Sequence, residues 1–162
     1  MRRSFLIAIV GFGLLTAGCS IDVEANPDGS LNVESVLLET DMQGALPAMI
    51  KDPNVERFDI EFFDGYAMID ARGLDPQTGE VNEVSFEVRL SVVDGHLGAD
   101  ISNGLWNGYE IPQWIVEAWN KAIARGLEAE GRKDPDSTLV GVSLTDDALT
   151  MKWHVETDAS RS

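Results

Sequence analysis

The sequence predicts an α+β domain in which an antiparallel, hairpin-built sheet carries two helices packed on one face. Four segments alternate apolar and polar residues on both sides of a tight turn, which is typical of β-hairpins. Two further segments repeat apolar residues with the period of an amphipathic helix. The elements follow the order ββ-α-ββ-ββ-α-ββ, and hairpins separated by helices favour an antiparallel sheet.

The four hairpins are indicated by their turns, each of which contains an Asp-Gly or Asp-Asp pair. In the third, Val84, Phe86 and Val88 share one face, while Ser85 and Glu87 share the other. Such alternation predicts one face toward a core and one toward water. The predicted hairpins cover residues 21–38, 58–71, 84–101 and 140–155, with turns at 26–29, 64–65, 94–95 and 146–147.

The first helix is predicted to begin at Thr40, because Gln43 follows three residues later and completes a capping box. Pro47 lies inside this helix and is expected to kink or restart it. The residues expected to share its apolar face are Met42, Ala45, Leu46, Met49 and Ile50.

The second helix is predicted from Pro112, a favoured first-turn residue, to about Glu130. The chain after Glu156, residues 157–162, is expected to be a loose tail. The predicted apolar stripe of the second helix consists of Trp114, Ile115, Ala118, Trp119, Ala122, Ile123 and Leu127.

The N-terminus carries a secretory signal. Arg2 and Arg3 precede an uncharged apolar run over residues 5–15, and small residues follow. The run is too short for a transmembrane helix, which needs roughly 20 apolar residues. The segment Leu15-Thr16-Ala17-Gly18-Cys19 resembles the lipobox of bacterial lipoproteins, although Thr16 stands where that family most often has leucine.

This resemblance implies that residues 1–18 are a cleaved signal peptide and that Cys19, the only cysteine, carries a diacylglycerol anchor with fatty acids such as palmitate. Residues 19–156 then form a single domain anchored to a membrane on the extracytoplasmic side of the cell envelope. In lipoproteins of cells with an outer membrane, an aspartate after the cysteine tends to retain the protein in the inner membrane, so the resemblance implies that Ser20 favours the outer membrane if the cell has one. The first strand is expected to start at Ile21, which leaves only Ser20 between the strand and the lipidated Cys19. Because such a short tether holds the domain close to the membrane, we expect the edge with Ile21 and the Trp106 loop to face the bilayer.

The chain is strongly acidic, with 12 basic and 28 acidic residues and a net charge of −16. Both signal arginines leave with the peptide, so the mature chain has 10 basic and 28 acidic residues and a net charge of −18. A nucleic-acid partner is not expected, because such binding requires basic groups that neutralise phosphates.

Neither a catalytic nor a metal-binding pattern is recognisable. His96 and His154 have no His or Cys at ligand spacing, so zinc is not expected. The mature chain has no Gly-x-Ser-x-Gly elbow and no phosphate loop. Asp75 with Glu80, and Asp134 with Asp136, are better interpreted as turn residues than as calcium ligands. We therefore expect a non-enzymatic domain without a cofactor. An enzyme with an unrecognised site is the third hypothesis, after the ligand-binding and protein-interaction functions described below.

The aromatic residues suggest where a ligand would bind. Trp114, Trp119 and Trp153 are first expected in the core. An alternative is an apolar slot between the second helix and the sheet, bounded by Trp114 and Trp119, with Trp106 and Tyr109 in a mobile loop at its mouth.

This slot predicts a domain that binds an apolar or amphipathic, lipid-like molecule. The order of elements faintly resembles that of envelope lipid-carrier lipoproteins, in which a curved sheet wraps a helix. The alternative function is a protein-interaction subunit of an envelope assembly.

Overall fold

Residues 19–49 and 53–161 are described by a computed structural model, and they form nine strands and two helices that confirm the α+β class. The predicted signal peptide and Ile50 lie outside the described residues. The elements are β1 (Cys19–Ala25), β2 (Leu31–Leu38), α1 (Glu39–Met49), β3 (Val55–Phe63), β4 (Tyr66–Leu74), β5 (Val81–Val93), β6 (His96–Trp106), β7 (Tyr109–Glu110), α2 (Gln113–Gly131), β8 (Ser137–Leu144) and β9 (Ala148–Val155).

The strands are divided between two antiparallel sheets. One has the order β1-β2-β9-β8 and the other the order β3-β4-β5-β6-β7. Each predicted hairpin pairs as its turn indicates, and the short β7 adds a ninth strand. The sheets meet at β8, where the Leu139 N–H donates to the Gly95 carbonyl oxygen at 2.7 Å and the Gly65 N–H donates to the Leu144 carbonyl oxygen at 3.0 Å.

The core has two parts. The first lies where the inner faces of the two sheets meet and contains Leu37, Phe62, Ala67, Leu139, Leu144, Leu149 and Met151, with Trp153 packed against it. The second lies between α2 and the five-stranded sheet and contains Ile101, Ile111 and Val116. Alternation places Val84, Phe86, Val88 and Leu90 on one face of β5, so this single face contributes to both parts.

The capping box predicted for α1 is wrong. The helix begins at Glu39, and the Gln43 side chain turns to the free edge of β3, where its amide nitrogen donates to the Phe58 oxygen at 3.0 Å. The Gln43 Oε1 accepts from the Ile60 N–H at 2.7 Å. A strand edge presents backbone groups that need partners, and Gln43 supplies them. The helix continues through Pro47 to Met49, so it does not restart there.

The stripe predicted for α2 is partly wrong: Ile115, Trp119, Ile123 and Leu127 face the sheet as predicted, but Trp114, Ala118 and Ala122 do not. Val116 is buried, whereas Trp114 is 71% exposed and Ala118 and Ala122 face solvent. Trp114 lies roughly 160° around the helix from Val116, because each residue advances about 100°. The face toward the sheet is formed by Ile115, Val116, Trp119, Asn120, Ile123 and Leu127.

The predicted loose tail is also wrong for its described residues. Residues 157–161 form a turn that bonds back to the first hairpin, with the Thr157 hydroxyl donating to the Gly29 oxygen at 2.7 Å. Arg161 forms an ion pair with Asp136. This segment is held by polar contacts. Because such contacts leave no apolar pattern in the sequence, the order of this segment was not predicted.

Candidate functional site

A groove of about 790 Å³ lies between β6 and the first half of α2. It exists because β7 has only two residues and pairs with β6 at Leu105 and Trp106. On the N-terminal side of Leu105, β6 has no neighbouring strand at this edge, and α2 lies beside it instead. The Asn120 Oδ1 accepts from the Ile101 N–H at 2.7 Å, and the Asn120 Nδ2 donates to the Ile101 oxygen at 3.0 Å. This pair of bonds fixes α2 beside the strand edge.

A β-bulge shapes one wall of the groove. Ser85 pairs with Leu105 and Glu87 with Ser102, so Asn103 and Gly104 lie opposite a single β5 residue. Asn103 has a φ of 52°, in the left-handed region that asparagine tolerates. A Cβ at Gly104 would lie 3.1 Å from Ile111 Cδ1, so glycine allows Ile111 to pack against the bulge.

The groove has an apolar floor and a polar rim. The floor consists of the buried residues Ile101, Gly104, Ile111 and Val116, which belong to or contact the second core. Three carboxylates and one amine lie on the rim, in Asp100, Glu110, Glu117 and Lys121. Such a surface suits a molecule with an apolar part and a polar head.

The predicted mobile loop at the mouth is instead a short hairpin. Trp106 and Tyr109 are paired across the turn Asn107-Gly108, whose φ angles of 50° and 80° are those of a tight hairpin turn. The Trp106 Nε1–H donates to the Asn82 Oδ1 at 3.1 Å. Trp106 is 45% exposed and Tyr109 is 79% exposed, so this hairpin presents two aromatic rings to solvent next to the groove.

The structure separates the four aromatic residues predicted for the site. Trp106 and Tyr109 come together, and Trp114 lies in the first turn of α2 beside Gln113, which lines the groove. Trp119 packs against Phe86 in the second core, with ring centroids 6.3 Å apart.

The residues that line the groove are not among those predicted from the sequence. The available signal was Asn120, a polar residue between the apolar positions Val116 and Ile123 on one face of α2. An amide on a buried helix face requires a partner, which here is the strand edge.

Cys19, the predicted lipidation site, is the first residue of β1 and lies opposite Leu37. Its side chain is half-buried and packs against the first core. Burial disfavours the thiolate and raises the pKa of the unmodified thiol, and the nearby Asp41 carboxylate raises it further.

The histidines and turn aspartates have structural contacts. The His96 ring packs against the end of α2, where a Cβ on Gly131 would lie 2.5 Å from Nδ1. The His154 Nε2 lies 3.2 Å from the Glu156 Oε1. Backbone N–H groups in the turn at Asp75 hold the pKa of that carboxyl below its usual value. Within residues 19–49 and 53–161, no group of three or more His, Cys, Asp or Glu side chains is placed to hold a metal ion.

Comparison of the chain with protein-family models, with curated proteins and with solved structures found no match. Of the helices in the described residues, none is both long and apolar enough to cross a bilayer.

Proposed function

We propose that this protein is an envelope lipoprotein, anchored through Cys19 on the extracytoplasmic side of a membrane, whose non-enzymatic domain binds an amphipathic molecule in the groove between β6 and α2. The observation that carries the binding proposal is the groove itself, with buried apolar residues at its floor and charged residues on its rim.

The proportions of the groove support a small-molecule ligand. Its volume of about 790 Å³ is within the range of roughly 300–1,000 Å³ common for ligand pockets. Ile101, Ile111 and Val116 offer an apolar surface, and the Asn120 amide holds the two walls in place.

The charge of the rim favours a neutral or cationic head group. Asp100, Glu110 and Glu117 outnumber the single Lys121. The mature chain is acidic as a whole, so an anionic head would meet repulsion both at the rim and at long range.

Extraction of the purified mature protein with organic solvent, followed by mass spectrometry, tests the binding proposal. We expect a co-purified amphipathic compound from the wild type and its loss from Glu117→Trp, which places an indole ring in the groove from its α2 wall. Glu128→Trp is the matched control, because Glu128 is an exposed glutamate of the same helix outside the groove. Equal recovery from both variants would place the ligand elsewhere. If no compound is recovered from the wild type or from either variant, the support for ligand binding is removed.

Metabolic labelling with a fatty acid tests the anchor. We expect label on the wild type, and none on Cys19→Ala, which should accumulate as precursor or leave the membrane. Label that is independent of Cys19 would contradict the anchor proposal.

The exposed aromatic rings support a second candidate function, that of a protein-interaction subunit. Tyr109 and Trp114 are 79% and 71% exposed, and such rings are enriched at protein interfaces. Cross-linking in cells distinguishes this function from ligand binding. A partner captured by the wild type and lost from Tyr109→Ser/Trp114→Ser, with the groove intact, would favour the interaction subunit.

A further inference from the structure

We infer that one face of β1, formed by Cys19, Ile21 and Val23, rests on the surface of the phospholipid bilayer. This inference depends on the proposed lipid anchor at Cys19. It goes further because it assigns a contact surface and an orientation to the folded domain.

The three residues share a face because side chains alternate along a strand. In the register of β1 with β2, Cys19 lies opposite Leu37, Ile21 opposite Ser35 and Val23 opposite Val33. This is the face that farther into the sheet forms the first core, where Leu37 is 2% exposed. At β1 the core ends, and Ile21 and Val23 are 50% and 54% exposed. The apolar face of the sheet therefore continues into solvent at this edge.

The anchor determines what lies against this face. A diacylglycerol on the Cys19 sulfur extends from the same side of β1 as the Ile21 and Val23 side chains. Ile21 lies about 7 Å and Val23 about 13 Å along the strand from Cys19, at roughly 3.3 Å per residue. β1 begins at Cys19 itself, so no flexible linker separates the anchor from this face. The lipid therefore brings the exposed apolar side chains to the headgroups.

The opposite face of β1 supports the same orientation. Ser20, Asp22 and Glu24 alternate with the apolar residues and are exposed. With the apolar face on the bilayer, these two carboxylates point away from it, which limits their repulsion by anionic lipids.

A second copy of the chain is the other possible occupant of the β1 edge. Antiparallel pairing of β1 with its copy would gather Asp22 and Glu24 of both chains on one face of the joined sheet. Like charges at such positions destabilise strand pairing. The charge pattern therefore favours the bilayer over self-association.

Hydrogen exchange of the lipidated protein on vesicles of phosphatidylcholine and phosphatidylglycerol tests the inference. We expect the backbone amides of residues 19–25 to exchange more slowly on vesicles than in the soluble Cys19→Ala domain. Ile21→Ser/Val23→Ser should lose this slowing, because it removes the apolar contact. Asp22→Ser/Glu24→Ser, which alters the other face of the same strand, should retain it. Equal urea midpoints in solution show that each variant still folds.

The mass of the N-terminal peptide separates the two possible failures. A peptide without a diacylglycerol on Cys19 would overturn both the anchor and this inference. A lipidated protein whose β1 amides exchange equally fast on vesicles and in solution, or are slowed equally in Ile21→Ser/Val23→Ser, would overturn the inference alone. Slowing that also occurs without vesicles and rises with protein concentration would assign the edge to a second copy.

Discussion

The Asn120 side chain of α2 hydrogen-bonds both backbone groups of Ile101 on β6, at 2.7 Å and 3.0 Å, and so substitutes for a missing strand. Gln43 of α1 makes the equivalent pair of bonds on β3, to the Phe58 oxygen and the Ile60 N–H. The five-stranded sheet is therefore held on both sides by a helix amide. Each amide satisfies backbone groups that would otherwise be available for pairing with another chain.

We expect Asn120→Ala to lower the free energy of unfolding by about 1–3 kcal/mol, because the Ile101 N–H and carbonyl lose their partners in a partly buried position. Urea denaturation of the mature domain measures this. Gln113→Ala, at an exposed amide of the same helix, is the control and should change stability by less than about 0.5 kcal/mol. Similar effects from both substitutions would show that the Asn120 bonds contribute little.

Trp119 and Trp114 should differ in their contribution to stability, although the sequence places both on one predicted stripe. Trp119 is half-buried against Phe86, so Trp119→Ala should cost about 2–3 kcal/mol, below the roughly 3–5 kcal/mol of a fully buried tryptophan. Trp114→Ala should cost less than about 0.5 kcal/mol, because the ring is exposed. Thermal and urea unfolding of the two variants provide the comparison, and a reversed order would mean that α2 packs through its other face.

The rim charges predict a preference between head groups. Dodecyltrimethylammonium and dodecyl sulfate share one tail, and below their micellar concentrations the cationic compound should displace N-phenyl-1-naphthylamine from the groove more effectively. Glu110→Gln/Glu117→Gln should reduce the difference, because it removes two of the rim carboxylates. Glu61→Gln/Glu80→Gln, at two exposed carboxylates outside the groove, is the matched control. Equal displacement by both compounds in the wild type would contradict charge selection.

The contact of the C-terminal turn should weaken in acid. The Ser160 hydroxyl donates to the Glu156 carboxylate and lowers its pKa below the usual value, and His154 lowers it further. A carboxyl with a lowered pKa stabilises the fold above its unfolded pKa, and this contribution is lost as the pH falls through the folded value. Amide exchange of residues 157–161 should therefore lose protection as the pH falls below the ordinary glutamate pKa of about 4.3. Ser160→Ala should make this loss begin at a higher pH, and identical profiles would assign the contact to other groups.

The hairpins and the extent of α2 were predictable because their signals are local. Alternation around Asp64-Gly65 and Asp94-Gly95 specifies strand, turn and register within about twenty residues of chain. The buried face of α2 was not predictable in the same way. Its sequence allows an apolar stripe through either Trp114 or Val116, with Trp119 in both, and the large Trp114 side chain favoured the wrong one.

The sequence by itself determined the α+β class, the four hairpins and the acidic charge, and it predicts an N-terminal signal whose pattern ends at Cys19. Only the tertiary structure decided that the strands divide into two sheets, that Trp114 is exposed, and that a groove lies where Asn120 meets Ile101. The physical reason is the range of the interactions. A turn or a strand face depends on neighbouring residues. The free edge of β6 is instead hydrogen-bonded by a helix that follows later in the chain. No local period in the sequence indicates which side chain of that helix will make these bonds.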